Sequence, residues 1–184
     1  MNFIQTYKIE NEVCDDLIDY YNNSVEYKTE GTIDSDRVDK KIKDSMDVYF
    51  LNCSTDFRIK NLFSAMNPCI LDYVKRYDIS FAVKTDVVNH IQYYKPKGGY
   101  RKLHSERSPK SSQRVVVYML YLNDVDNGGT YFPFQNTTIQ AVKGDLILWP
   151  ADFTHPHRGV ISDTQEKYIC TGWFEYVPSL IPPS

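Results

Sequence analysis

Apolar residues recur at helical spacing only in the front of the chain. Val13, Leu17 and Tyr21 share one face with Cys14 and Ile18 beside them, which predicts a helix from about Asn11 to Asn22 after a first strand at Phe3–Ile9. Glu12, Asp15 and Asp16 fall in its first turn, where the helix dipole favours negative charge. A second stripe, Ile59, Leu62, Phe63, Met66, Ile70 and Val74, predicts a helix that begins near Thr55 as N-cap. Pro68 should kink this helix, or restart it with Asn67 as a new cap. Between the two, Lys28–Asp47 is polar and poorly periodic, the pattern of a long surface loop, and Val48–Leu51 reads as a short strand.

After Tyr77 the period shortens to that of strands. Runs at Phe81–Val83, Val87–Tyr94, Arg114–Leu122, Thr130–Phe134, Thr137–Val142, Asp145–Trp149 and Tyr168–Tyr176 alternate with turn signals. Those signals include Pro96-Lys97-Gly98-Gly99, Asp126-Asn127-Gly128-Gly129 and Lys143-Gly144. Val115–Leu122 is apolar at every position, so it belongs at the centre of a sheet buried on both faces. Helices followed by about eight strands describe a mainly β fold with N-terminal helices, a jelly roll (double-stranded β-helix, cupin-like) buttressed by helices. The expected organisation is one domain over 1–184. It comprises a helical support region with its loop at 1–80, the jelly-roll core at 81–177, and an extended tail at 178–184.

Composition narrows the partners. A net charge of -3 gives no reason to expect nucleic-acid binding. No apolar run is long enough to span a bilayer, and the first residues show no charged-then-apolar leader, so no membrane is expected and a bacterial or viral-host cytoplasm is. The four cysteines form no C-x-x-C pair and read as small buried hydrophobes in a reducing compartment. Fifteen tyrosines suit strands, and their hydroxyls suit the wall of a polar cavity.

The chemistry concentrates in two short segments. Of four histidines, His104 stands in an H-x-E with Glu106, and His155 and His157 lie about fifty residues later. Alternation along a strand aims His104 and Glu106 at one point, and a later histidine completes two imidazoles and a carboxylate. That set leaves three positions open on Fe(II) for dioxygen and a bidentate cosubstrate. His155 and His157, two apart, would point the same way if extended, so either could be the third ligand, the other orienting it. His90 lies in a strand pattern and reads as a core histidine. Ten residues past His157, Lys167 opens a strand that faces the interior, where a buried cation needs an anion such as a ligand carboxylate.

In this order, the H-x-E, the distal histidine and the lysine ten residues on, together with Tyr121-Leu122-Asn123, Gly128-Gly129-Thr130 and Lys143-Gly144-Asp145, resemble the prolyl 4-hydroxylase-like Fe(II)/2-oxoglutarate-dependent oxygenases. The resemblance covers about Val87 to Tyr176 and favours His157 through its spacing to Lys167. It implies Fe(II), 2-oxoglutarate and O2, with ascorbate as an accessory cofactor, and hydroxylation of peptidyl proline. A free amino acid or other small molecule is the competing substrate, and a non-catalytic metal-binding jelly roll the competing function. Residue by residue it implies His104, Glu106 and His157 as catalytic iron ligands and Lys167 and Tyr121 on the far carboxylate of 2-oxoglutarate. Tyr94 would stand near the cosubstrate, Thr171 would add a hydroxyl, and Trp173 would wall the iron cavity. Glu106 departs from the commoner aspartate and reaches roughly 1.5 Å further. The Lys- and Arg-rich stretch Tyr94–Ser112 would flank the mouth and suit an acidic peptide or a phosphorylated small molecule. Oligomeric state is not readable from these patterns.

Overall fold

The computed structural model describes residues 2–33 and 37–177; the tail expected at Pro178–Ser184 lies outside them. Two α-helices are present, α1 (Asn11–Asn23) and α2 (Phe57–Arg76). The strands up to α2 are β1 (Gln5–Lys8), β2 (Thr29–Glu30), β3 (Thr32–Ile33), β4 (Arg37–Val38), β5 (Lys43–Asp44) and β6 (Met46–Leu51). After it come β7 (Val83–Thr85), β8 (Val88–Tyr94), β9 (Gly99–Tyr100), β10 (Arg114–Tyr121) and β11 (Val125–Phe132). The last four are β12 (Thr137–Ala141), β13 (Asp145–Pro150), β14 (Arg158–Gly159) and β15 (Lys167–Tyr176).

The main sheet is antiparallel, in the order β1-β13-β10-β15-β8-β6-β2, with β7 also paired to β15. A smaller sheet, β12-β11-β14, faces it, and β3-β4 and β5-β9 are short ribbons. This is the helix-buttressed jelly roll that the strand pattern predicts. Alternation gives the main sheet two different faces. On one, Val116, Tyr118 and Leu120 of β10, Leu146 and Leu148 of β13, and Cys170 and Phe174 of β15 pack on Leu17 and Tyr21 of α1 and Ile59, Leu62 and Met66 of α2. On the other, Val117, Tyr121, Ile147 and Ile169 meet Val125, Phe132 and Ala141 of the smaller sheet. β10 is buried on both faces, as expected, with Met119 partly exposed, because each face meets a different apolar partner.

Four local expectations are corrected. Asp56, not Thr55, caps α2, its carboxylate accepting from the Arg58 N–H at 2.9 Å. Pro68 does not restart the helix, which runs unbroken past it. The proline sits on the exposed side while Met66, Cys69 and Ile70 hold the buried side, so apolar packing outweighs the missing hydrogen bond. Asp126–Gly129 is not a turn between strands but an irregular stretch of β11, where the register shifts between Val125 and Thr130. A Cβ at Gly129 would stand 1.9 Å from the Ile139 carbonyl oxygen, so only glycine permits that backbone approach.

The fourth correction concerns Lys28–Asp47, which is not simply a solvated loop. It contributes β2 to β5 and leads into β6 of the main sheet. It also buries a charged pair, Lys43 Nζ to Asp47 Oδ2 at 2.6 Å, with Asp47 fully inaccessible. Ser45 donates its hydroxyl to the other carboxylate oxygen at 2.7 Å. The polarity that suggested a loop is satisfied internally. Removing one member of such a pair strands its partner's charge, whereas replacing both with apolar residues does not. Asp47→Ala should therefore destabilise the fold by about 3–5 kcal/mol, and the double variant Lys43→Met/Asp47→Leu should recover most of that loss. Chemical denaturation of the three proteins measures both; an Asp47→Ala cost near zero would contradict the burial.

Candidate active site

The site starts from a pairing of main chains. His104 and His157 form an isolated antiparallel bridge, the His104 N–H donating to the His157 carbonyl at 3.1 Å and the His157 N–H to that of His104 at 2.8 Å. The Glu106 N–H donates to the Ala151 carbonyl at 3.1 Å, which ties the same segment to the end of β13. These bonds bring the three side chains together, with both histidine Nε2 atoms 3.3 Å from Glu106 Oε1. The ligand atoms of the trio lie within 4.8 Å of one another, and among the described residues this is the group able to hold a metal ion.

Each imidazole has its other nitrogen occupied. His104 Nδ1 is 3.0 Å from the Lys102 carbonyl oxygen and His157 Nδ1 is 3.2 Å from that of His155. A carbonyl only accepts, so each ring carries a proton on Nδ1, which leaves both Nε2 atoms for the position between them and Glu106, where a divalent cation would take their lone pairs. Glu106 uses Oε1 toward the histidines and accepts the Trp173 indole N–H on Oε2 at 3.0 Å. Burial lowers the pKa of His157, which packs between Phe132 and Trp149. Two imidazoles and a carboxylate fit Fe(II).

His155 is directed elsewhere. The chain turns at Asp152–His155 and is not extended there, so the two histidines diverge. His155 Nε2 meets the Asn2 carbonyl oxygen at 2.8 Å, and its Nδ1 meets the Thr154 hydroxyl. Its main-chain carbonyl, not its ring, orients His157.

The trio opens into a cavity of about 840 Å³ between the two sheets. All eight residues singled out from the sequence, from Tyr94 to Trp173, line it, and His155 does not. Alternation on β15 turns Lys167, Thr171 and Trp173 to this side. Lys167 is buried, and its ammonium donates to the carbonyls of Gly128 at 2.7 Å and Val160 at 3.1 Å. No carboxylate among the described residues forms an ion pair with it, and burial lowers its pKa to about 8. The irregular stretch of β11 is what supplies the Gly128 carbonyl. The Tyr121 hydroxyl pairs with that of Thr130 at 2.6 Å, while Thr171 donates to the Tyr118 carbonyl at 2.8 Å. On β8, the Tyr94 hydroxyl donates to Gln92, whose amide donates to His90. Burial pushes the Tyr94 hydroxyl pKa up and lowers that of His90 to about 4. His90 is thus a neutral member of the cavity wall, beside Tyr49 and Trp173, and not a residue of the apolar core.

Three wall residues were given no role of their own from the sequence. Thr130 and Gln92 are polar residues on inward faces, a signal that alternation could have supplied. Arg114 is different. Its guanidinium lies 3.3 Å over the Trp173 ring and 3.9 Å from Glu106 Oε2. Strict alternation would place it with Val116 and Tyr118 on the helix side, but the register shifts between Arg114 and Val116 and turns it to the cavity.

Known proteins resemble this chain in sequence and in fold. Residues 89–175 match the model of the 2OG-Fe(II) oxygenase superfamily. An Acanthamoeba polyphaga mimivirus protein named "Putative prolyl 4-hydroxylase" is 28% identical over 145 residues, covering 65% of this chain and 60% of its own. "Probable prolyl 4-hydroxylase 9" of Arabidopsis thaliana is 32% identical over 95 residues, 38% of this chain and 32% of that one. The chain thus matches less than two thirds of either relative's length. A Trichoplax adhaerens prolyl hydroxylase, solved with a hypoxia inducible factor peptide fragment, shares the fold with a TM-score of 0.76 at 16% identity, over 95% of this chain and 84% of that one.

Burial of Lys167 has a measurable consequence. The folded lysine loses its proton near pH 8 and the unfolded one near 10.5. Between those values the unfolded chain binds more protons, so stability rises with pH. Measured by denaturation, the stability of the protein relative to Lys167→Met should increase by up to about 3 kcal/mol from pH 7 to pH 10.5. A gap that does not change with pH would contradict the buried ammonium.

Proposed function

We propose that this chain, whose residues 89–175 match the model of the 2OG-Fe(II) oxygenase superfamily, couples decarboxylation of 2-oxoglutarate to succinate with hydroxylation of peptidyl proline. One observation carries the reading: a buried lysine whose hydrogen bonds among the described residues go to main-chain carbonyls shares a cavity with two imidazoles and a carboxylate poised for a divalent metal. The lysine needs an anion and the trio needs a cation. A 2-oxoacid with a second carboxylate joins the two.

In this scheme His104 Nε2, His157 Nε2 and Glu106 hold Fe(II), which when bound supplies the dioxygen chemistry. The Lys102 and His155 carbonyls keep the histidine protons on Nδ1, so the metal-facing nitrogens stay unprotonated. Trp173 fixes the rotation of the Glu106 carboxylate through Oε2 and leaves Oε1 for the metal. Lys167 binds the far carboxylate of 2-oxoglutarate, with the hydroxyl pair of Tyr121 and Thr130 beside it. Tyr94, Thr171 and the rings of Trp149 and Phe132 restrict water around the reacting atoms. Ascorbate would serve as accessory reductant.

Peptidyl proline as substrate is supported by the prolyl 4-hydroxylase names of both curated relatives and by the peptide in the Trichoplax structure. The chain is taken to act as one oxygenase domain over 1–184. No helix among the described residues is long and apolar enough to cross a membrane. With four free cysteines, a reducing cytoplasm is the proposed compartment.

Succinate formation from 2-oxoglutarate, with and without Fe(II) and a proline-rich peptide panel, tests the reading. Iron-dependent succinate that rises with peptide is expected; none in folded, iron-loaded protein would overturn it. His157→Ala should abolish turnover and His155→Ala should retain it, and the reverse outcome would reassign the ligand. Lys167→Met should raise the 2-oxoglutarate concentration for half-maximal rate roughly 10- to 100-fold, the loss of a charged hydrogen bond.

A further inference from the structure

We infer that Arg114 is a positioning residue for the metal site: lying flat on Trp173, it holds the indole that reserves Oε2 of Glu106, so that Oε1 alone faces the two histidines. The inference rests on the proposed metal site and not on the proposed substrate. Glutamate carries one more torsion than aspartate, and its terminal torsion is broad, so nothing within the side chain decides which oxygen faces a metal. Here Oε1 stands 3.3 Å from both histidine Nε2 atoms, and Oε2 accepts the Trp173 N–H at 3.0 Å. A carboxylate that offered both oxygens would use up one of the three positions that the proposed chemistry keeps open.

Trp173 is itself only partly buried and needs support. Its ring is covered by the Arg114 guanidinium, 3.3 Å from the centroid, and the His90 ring lies 5.8 Å away. A planar guanidinium stacks on an indole as a lysine ammonium cannot. The same group sends Nη1 toward Glu106, 3.9 Å from Oε2 and 3.5 Å from the main-chain carbonyl, while Nη2 stands 3.7 Å from Asp86 Oδ2. The contacts to the two carboxylates are longer than hydrogen bonds. Stacking therefore fixes the geometry, and charge only adds to it.

Arg114 is poorly placed for stability alone. Its Nε is buried and has no partner among the described residues, a cost that a purely structural arginine would avoid. Its direction also depends on a departure from regular pairing, the register shift between Arg114 and Val116. Regular alternation would send the side chain to the helix face with Val116 and Tyr118. Irregularities of this kind re-aim side chains beside active sites. This one delivers a flat cation onto the ring that holds the carboxylate.

The test uses Co(II) alone as probe, added to the metal-free full chain, with ligand-field absorption reporting both affinity and coordination. Circular dichroism and thermal melts establish that each variant is folded. Arg114→Met should weaken Co(II) binding about tenfold, a loss typical of a group that orients a metal ligand, and should alter the band shape. Trp173→Phe, which removes the N–H, should do the same. Because Arg114 acts through Trp173, the double variant should bind no worse than the weaker single variant, whereas independent effects would multiply to about a hundredfold. Arg114→Lys keeps the charge without the flat face and should not restore binding; if Arg114→Met does not fold, Arg114→Lys takes its place in the cycle. Unchanged affinity and spectrum in either Arg114 variant overturns the inference. So do multiplied losses in the double variant, which mean a general structural role, and tighter binding, which means that the guanidinium acts only as a repelling charge. No Co(II) binding by the unaltered protein sinks the metal site itself, and binding that Arg114 does not affect sinks this inference alone.

Discussion

The two main-chain hydrogen bonds that join residues 104 and 157 are the constraint on which the site depends. They clamp a segment from before β10 to one from between β13 and β14. Only while they hold do both Nε2 atoms face one carboxylate oxygen. The neighbouring carbonyls of Lys102 and His155 then decide which nitrogen carries the proton. Metal-binding geometry here is therefore a property of backbone pairing, and the side chains need little conformational freedom to express it.

The main sheet divides the labour between its faces. Toward the helices it is apolar and closely packed, which gives the framework its stability. Toward the smaller sheet it carries Lys167, Thr171, Gln92, His90 and the Tyr121–Thr130 hydroxyl pair in a space that a pure core would fill. A buried ammonium on carbonyls alone is a poor choice for stability. In the proposed reading it suits a site that binds a dianion, because the cost would be relieved when the ligand enters. The irregular stretch of β11 belongs to the same arrangement, since regular pairing would not present the Gly128 carbonyl to Lys167.

Much of this was legible in the sequence because it follows from periodicity. The two helical faces, the doubly buried β10 and the inward set Lys167, Thr171 and Trp173 all come from counting by three and four or by two. What stayed hidden lies where the chain leaves a regular period. His155 and His157 were equivalent under an extended backbone, and the turn at Asp152–His155 separates them. Arg114 faces the cavity only because of a register shift, and Asp126–Gly129 looked like a turn because glycines that permit close strands resemble glycines that permit loops. Lys43, Ser45 and Asp47 read as solvated because local polarity does not reveal that their partners lie within five residues of one another.

The central claim is that one cavity holds a divalent iron on His104, Glu106 and His157 and a 2-oxoacid anchored by Lys167. Anaerobic titration of the protein with Fe(II) and then 2-oxoglutarate, followed by visible absorption, tests it most directly. The account predicts a charge-transfer band that appears only when both are present, saturates at one equivalent of each, and disappears in His157→Ala. Folded protein that binds iron yet shows no band on addition of 2-oxoglutarate would contradict it, and would leave a metal-binding jelly roll without this cosubstrate.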